Sequence, residues 1–244
     1  MLFIEYFPFL IAAAFGAVFG SYGTLFVYRL PRGESCFGRY FGPKSRCGNC
    51  EKTILTRDLI PVINWLVTGG KCRFCGFKIP RIYLFVEITT TILFVICYVL
   101  FGFSDNFIIH AVLCAALVIL FALDYKRQIL PNLILNTVLI VSLIKRLQGD
   151  FILIDIIFFL AFIMIAVSVF YQIFYKKLGV LESQQQALDY CKFILISAVS
   201  FIPLIFTFYF SLLCALLFLA KFLPNLKLMR TIFLILPFLV LNFI

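Results

Sequence analysis

The sequence predicts an all-α polytopic membrane protein with about eight transmembrane helices and one small cysteine-rich domain between the first and second. Three observations carry that expectation. Apolar residues make up 64% of the 244-residue chain, 32 of its residues are Phe, and only 13% are charged. A soluble fold cannot hide that much apolar surface, so the bilayer has to serve as solvent. One polar, basic island, Pro31 to Arg81, interrupts the apolar runs. Of the 21 Lys and Arg, eleven fall between Arg29 and Arg81, and most others fall in short connections. That placement is the positive-inside pattern of a membrane protein. It accounts for the formal charge of +10 without a nucleic-acid partner.

The first apolar run, about Phe7 to Tyr28, is long enough to span and reads as a retained helix, since no basic n-region or small-residue cleavage site accompanies it. Gly16 and Gly20 lie four apart within it, a spacing that suits either close helix approach or a glycine-tolerant helix of loose packing. After the island come spans at about Ile82–Phe101, Phe107–Leu123 and Ile129–Ile144, with Gly102–Asn106 as a tight loop and Pro131 in a first helical turn. Lys145, Arg146 and Asp150 form the next loop, and a fifth span covers about Phe151–Tyr175. A polar linker, Leu178–Lys192, precedes the apolar stretch Phe193–Phe222, which reads as two helices around Pro203. The last span is about Met229–Ile244. The chain therefore divides into a first helix (residues 1–30), the island (31–81) and a membrane core (82–244).

With the island in the cytoplasm and the spans alternating, 19 of the 21 basic residues fall on the cytoplasmic side and only Lys145 and Arg146 lie outside. The expected location is an inner membrane, with the lipid bilayer as the chain's principal partner.

Within the island, Cys47-Gly-Asn-Cys50 and Cys72-Arg-Phe-Cys75 are separated by the 21 residues Glu51–Lys71. Two C-x₂-C pairs at that separation approach zinc-ribbon spacing, each pair supplying two thiolates to a tetrahedral ion. Gly48 and Gly76 are placed for the tight turns of such knuckles. A reducing cytosolic location favours metal over disulfide; a disulfide pair and a thiol redox site are the competing readings. A structural zinc supplies on the order of 10 kcal/mol of folding free energy, which suits a segment too short to build its own core. Of the remaining cysteines, Cys97, Cys114 and Cys214 fall in apolar segments, where a free Cys acts as a small hydrophobe.

The residues around the cysteines are more specific than the cysteines. The chain reads Tyr28-Arg-Leu-Pro-Arg-Gly-Glu-Ser35, then Ser45-Arg-Cys47, Arg57-Asp-Leu-Ile-Pro-Val-Ile-Asn-Trp-Leu66 and Gly70-Lys-Cys-Arg-Phe-Cys-Gly76, reaching Glu87 in the second span. This resembles the type IV prepilin peptidase family, bifunctional leader peptidases and N-methyltransferases of bacterial pilus and type II secretion systems. The resemblance is dense from about Gly16 to Glu87, specific again around Asp124, and continues to Leu236-Pro-Phe-Leu239. It implies prepilin or pseudopilin substrates, S-adenosylmethionine as methyl donor and a pair of catalytic aspartates.

The acids point the same way independently. Only eleven Asp and Glu occur, and a carboxylate at membrane depth costs roughly 2.5–3.5 kcal/mol on insertion scales. Asp124 ends the third span, followed by Tyr125-Lys-Arg127, and Asp189 stands at the entrance of the sixth, with Lys192 three residues on. Both fall on the cytoplasmic side. Two carboxylates at one site share a proton, one acting as general base on water while the other polarises the scissile carbonyl. The alternative is two interfacial charges beside basic residues. Asp124, followed by Ile129-Leu-Pro-Asn132, looks like the family's first aspartate motif. The second motif is a Gly-x-Gly-Asp-x-Lys type sequence, whereas this chain has Ala187-Leu-Asp189-Tyr-Cys-Lys192. Both glycines are missing and the lysine comes one residue later. That leaves a tolerated variant or an impaired peptidase step. Asp58 and Glu34 are expected to shape the cytosolic domain, Glu87 to make a helix contact or serve methyl transfer, and Asp155 to be structural. His110, the single histidine, has no partner visible in the sequence.

The sequence reading is thus a membrane aspartic endopeptidase that cleaves the basic leader of type IV prepilin-like proteins at the cytoplasmic face and N-methylates the new terminus. Its catalytic pair is Asp124 and Asp189, and its zinc ligands are Cys47, Cys50, Cys72 and Cys75. A catalytically impaired assembly factor is the alternative; a membrane thiol oxidoreductase fits the cytosolic cysteines poorly.

Overall fold

The computed structural model describes residues 2–37, 44–147, 184–200 and 235. Among them are α1 (Leu2–Arg29), α2 (Ile63–Val67), α3 (Arg81–Phe101), α4 (Asp105–Arg127), α5 (Asn132–Leu147) and α6 (Gln184–Ser200), with short 3₁₀ turns at Leu30–Arg32 and Thr56–Leu59. Among the described residues, three stretches are long and apolar enough to cross a membrane: Tyr6–Arg32, Arg81–Phe101 and Asp105–Arg127. The Asn132–Lys145 helix is apolar but shorter. The expected spans at 151–175, 204–222 and 229–244, together with Asp155, Glu182, Pro203 and Cys214, lie outside the described residues, apart from position 235. The chain forms two compact units, residues 1–122 and 123–244, whose boundary falls within α4.

The first unit is built on a close crossing of α1 and α3. A methyl group added at Gly16 would lie 2.7 Å from Thr91 Cα, and one at Gly20 would lie 2.8 Å from Glu87 Cα. At Gly23 it would meet Ile119 Cγ1 at 3.0 Å and Val86 Cγ1 at 3.2 Å. Real side chains do not approach backbone that closely, so the alternative left open by the sequence is resolved: these glycines form a packing seam. Val86, Thr90 and Phe94 of α3 line this seam, Ile119 of α4 meets it at Gly23, and all four are buried. Ser104 opens α4, its Oγ accepting the Phe107 N–H at 3.3 Å and its carbonyl the Ile108 N–H. The helix thus starts at Asp105, inside the expected loop. His110 has a local partner that the sequence did not reveal: its Nδ1 lies 2.8 Å from the Asn106 carbonyl, and its ring stacks on Phe101 at 4.3 Å.

In the second unit α5 packs on α6. Tyr190, Phe193 and Ile194 of α6 and Leu135 and Val138 of α5 are buried. Three sequence expectations need correction here. The polar segment from Gln184 is not a linker but the first turns of α6, because Gln, Ala and Leu are good helix formers and Ala187 and Tyr190 both find buried positions on one face. The sixth helix therefore starts nine residues before Phe193, and Asp189 sits inside it. Lys145 and Arg146 belong to the end of α5 rather than to a loop. Pro131 stands just before α5, its carbonyl accepting the N–H groups of Ile134 and Leu135, where a residue without an N–H leaves no donor orphaned.

Candidate functional site

The island folds as two equivalent knuckles. In the first, an antiparallel bridge joins Arg46 and Thr53; in the second, one joins Lys71 and Lys78. The Cys47 N–H donates to Lys52 O and the Cys72 N–H to Phe77 O, while the Glu51 N–H returns to Cys47 O and the Gly76 N–H to Cys72 O. Each knuckle turns on the residue after its second cysteine, which has positive φ: Glu51 at +57° and Gly76 at +69°. The expectation for Gly76 holds. Gly48 lies in the turn of the first knuckle as expected, and it does something more: a methyl there would come within 3.3 Å of the Tyr28 ring, so its lack of a side chain lets the first knuckle settle on the end of α1. The Arg32 guanidinium lies over the same Tyr28 ring, 3.9 Å from its centroid.

The two knuckles bring Cys47, Cys50, Cys72 and Cys75 together, with all four sulfurs within 4.8 Å of one another. Cys47 Sγ and Cys75 Sγ are 3.8 Å apart. A tetrahedral zinc with Zn–S bonds near 2.3 Å requires sulfur–sulfur edges of roughly 3.8 Å, so the donor set fits that ion. Two N–H groups already point at sulfur, Asn49 N to Cys47 at 3.5 Å and Asn49 Nδ2 to Cys75 at 3.8 Å. The Cys75 thiol is lowered to about 6, first by the Phe77 backbone N–H and then by Asn49 and neighbouring thiols, against burial. Cys50 moves the other way, up to about 11: the Lys52 backbone N–H lowers it, but burial and the three neighbouring thiols together outweigh that. The cluster thus begins to ionise at one corner, as a cation-binding thiolate set must.

The residues flanking the cysteines hold the knuckles in place. Asp58, 9% exposed, takes the Arg73 Nε–H on both carboxylate oxygens at 2.8 and 3.0 Å, tying the Thr56–Leu59 turn to the second knuckle between its cysteines. Arg29 is buried and its Nη1 donates to Ser35 O at 3.2 Å, while Gly33, at φ +68°, ends the turn after α1. Asp58 therefore has the shaping role expected of it. Arg73 was missed in the sequence, although an Arg between two zinc-ribbon cysteines opposite a lone Asp was the available signal.

Asp124 lies in the last turn of α4, only 1% exposed. Gln128, at φ +57°, closes the helix and donates its N–H to the Asp124 carbonyl at 2.8 Å. The Asp124 carboxylate accepts the Tyr190 hydroxyl on both oxygens, 2.8 Å each. Tyr190, the residue after Asp189, is completely buried. Asp189 turns its carboxylate toward its own helix, taking Gln185 Nε2 at 3.1 Å and Lys192 Nζ at 3.3 Å. Lys192 also donates to Asn132 Oδ1 at the start of α5, at 3.3 Å. The helix carrying Asp189 is thus brought to Asp124 through Tyr190. Tyr190 was not singled out in the sequence; its place beside Asp189 was the only hint.

Residues 14–101 match the bacterial peptidase A24 N-terminal domain. That segment contains the glycine seam, both knuckles and Glu87. Over this first part the chain is similar to the prepilin peptidases. Its relatives include the prepilin leader peptidase/N-methyltransferase of Vibrio cholerae, 28% identical over 83% of both chains. That of Bacillus subtilis is 31% identical over 50% of this chain and 47% of its own. The type 4 prepilin-like proteins leader peptide-processing enzyme of Escherichia coli is 34% identical over 42% and 38%. No solved structure matches the chain. The three apolar helices of spanning length among the described residues, together with this similarity to prepilin peptidases, fit an inner-membrane protein.

Proposed function

We propose that this chain is a type IV prepilin peptidase, an aspartic endopeptidase of the inner membrane, with about eight spans, that removes the basic leader of prepilin-like proteins at the cytoplasmic face and methylates the new N-terminal amine. The division into a first helix, a four-cysteine cytosolic domain (31–81) and a membrane peptidase core (82–244) is part of this reading. The observation that carries it is Asp124, a carboxylate buried at the end of an apolar helix and held by a phenol from the helix that bears Asp189. A carboxylate removed from water in this way is suited to general base work.

In the cleavage step one of the two aspartates takes a proton from water as it attacks the scissile carbonyl, and the other, protonated, donates a hydrogen bond to the carbonyl oxygen. Lys192, held on Asn132 and Asp189, supplies positive charge beside the pair. The four cysteines would hold a zinc that fixes the fold of the 31–81 domain; S-adenosylmethionine would supply the methyl group. Co-expression with a prepilin tests both activities: a shortened product reports the peptidase, and a mass increase of one methyl group on it reports the transferase.

A second reading is supported by the second aspartate motif. Asp189 sits within a regular helix that lacks the motif's glycines, and Tyr190 occupies both oxygens of Asp124. A chain that retained the fold but lost cleavage would act as an assembly factor. Unshortened prepilin after co-expression, with the protein inserted and zinc-loaded, would establish that reading over the first.

A further inference from the structure

Glu87 stands six residues into α3, about 9 Å along a helix long and apolar enough to cross a membrane. Its Oε2 accepts the Val62 N–H at 2.7 Å. That N–H is available only because Val62 adopts φ +62°, ψ −53°, while the Ile63 N–H reaches back to Pro61 O at 2.6 Å. This is a γ-turn of the strained hand, costing a β-branched residue of order 1–3 kcal/mol. Among the described residues no donor meets Oε1.

Val62, the residue bonded to Glu87, also lines an apolar groove of about 370 Å³, together with Pro61, Ala13, Ala14 and Ala17 of α1 and Ile88, Thr91 and Ile92 of α3. We infer that Glu87 and this groove form a binding site for a primary ammonium at the start of an apolar helical segment. Charge complementarity selects the occupant. A lipid chain would satisfy the walls but leave the free carboxylate oxygen unanswered; an ammonium on an apolar segment answers both.

Taken with the function proposed above, on which this part rests, the ammonium is the terminus freed by leader removal. Glu87 takes one of its protons, leaving a neutral amine and a glutamic acid. The amine lone pair then takes a methyl group from a donor of the sulfonium class. The N–C bond forms as the C–S bond breaks, that electron pair stays on sulfur, and the positive charge passes to the methylated nitrogen.

The test uses the full chain in detergent and two synthetic peptides of one apolar helical sequence, with a free or an acetylated N-terminus. The wild type should bind the free amine about tenfold more tightly, and Glu87→Gln, which keeps an acceptor for the Val62 N–H without the charge, should abolish that preference. Ala17→Leu, which fills the groove, should weaken both peptides. A wild type without preference, a Glu87→Gln variant that retains it, or an Ala17→Leu variant that binds as the wild type does would each overturn the site. Leader removal by the same wild-type preparation separates the two readings. An amine preference without cleavage removes the peptidase reading and keeps the site; cleavage without an amine preference removes the site alone.

Discussion

The Tyr190 hydroxyl donates to both carboxylate oxygens of Asp124, at 2.8 Å each, with neither side chain open to solvent. Removing the hydroxyl leaves a buried carboxylate short of a donor. A hydrogen bond to a charged group contributes about 1.5–3 kcal/mol, so Tyr190→Phe should lower thermal stability in detergent by that amount and slow prepilin cleavage at least several-fold. Cleavage at the wild-type rate would show that the phenol is only a packing group.

Asp124→Ala and Asp189→Ala should each abolish leader removal while the protein remains inserted. Their structural effects should differ. Asp124 is the more deeply buried and bonds to a buried partner, so its loss should also reduce stability; Asp189 has its contacts on its own helix surface and should be nearly silent in an unfolding measurement. Wild-type cleavage in Asp189→Ala would remove it from the proposed pair.

Metal analysis of the purified chain should find one zinc, lost in Cys47→Ser or Cys72→Ser. The ion must displace protons from thiols, above all from Cys50, whose thiol is raised to about 11. Cys75, lowered to about 6, is already largely ionised at neutral pH and regains its proton as the pH falls through that value. Zinc affinity should therefore rise with pH above neutrality and drop steeply below about pH 6, which a chromogenic chelator titration reads directly. Affinity independent of pH over this range would exclude thiolate ligation.

Glu51 holds the position that Gly76 holds in the second knuckle, at φ +57° against +69°. A left-handed conformation costs a residue with a Cβ roughly 1–2 kcal/mol, part of which glycine returns through its freer unfolded chain. Glu51→Gly should leave zinc binding intact and stabilise the domain by up to about 1 kcal/mol. Gly48→Ala should do the reverse, because its methyl would press on the Tyr28 ring.

At the α1–α3 crossing, Gly20→Leu drives a side chain into the Glu87 backbone. Overpacking of that kind typically costs about 1–3 kcal/mol, visible as a lowered unfolding temperature in detergent. An unchanged value would mean that the helices separate without penalty.

Much of this was legible in the residues. The spacing of Gly16 and Gly20 announced a possible seam, and the cysteine spacing announced the cluster, because both patterns are local and repeat at fixed intervals along one chain. The spans flanking the island were legible for the same reason. Gln184–Lys192 was misread as a linker because its polarity resembles that of a loop, whereas its helical state depends on Ala187 and Tyr190 finding a buried face. The turn at Gly48 was legible, but its contact was not, because its neighbour in space, Tyr28, is twenty residues away in the chain.

By itself the sequence determined the membrane-like class, the four-cysteine island and the two aspartates set at the ends of apolar runs. Composition and period are properties of the chain alone, and the bilayer enforces them wherever the chain folds. The tertiary structure alone decided what each acid touches: Arg73 on Asp58, the Val62 amide on Glu87, the Tyr190 hydroxyl on Asp124. Those contacts join residues fifteen to sixty-six positions apart. A buried carboxylate takes whichever donor the packing of its helices delivers, and no local pattern encodes that choice.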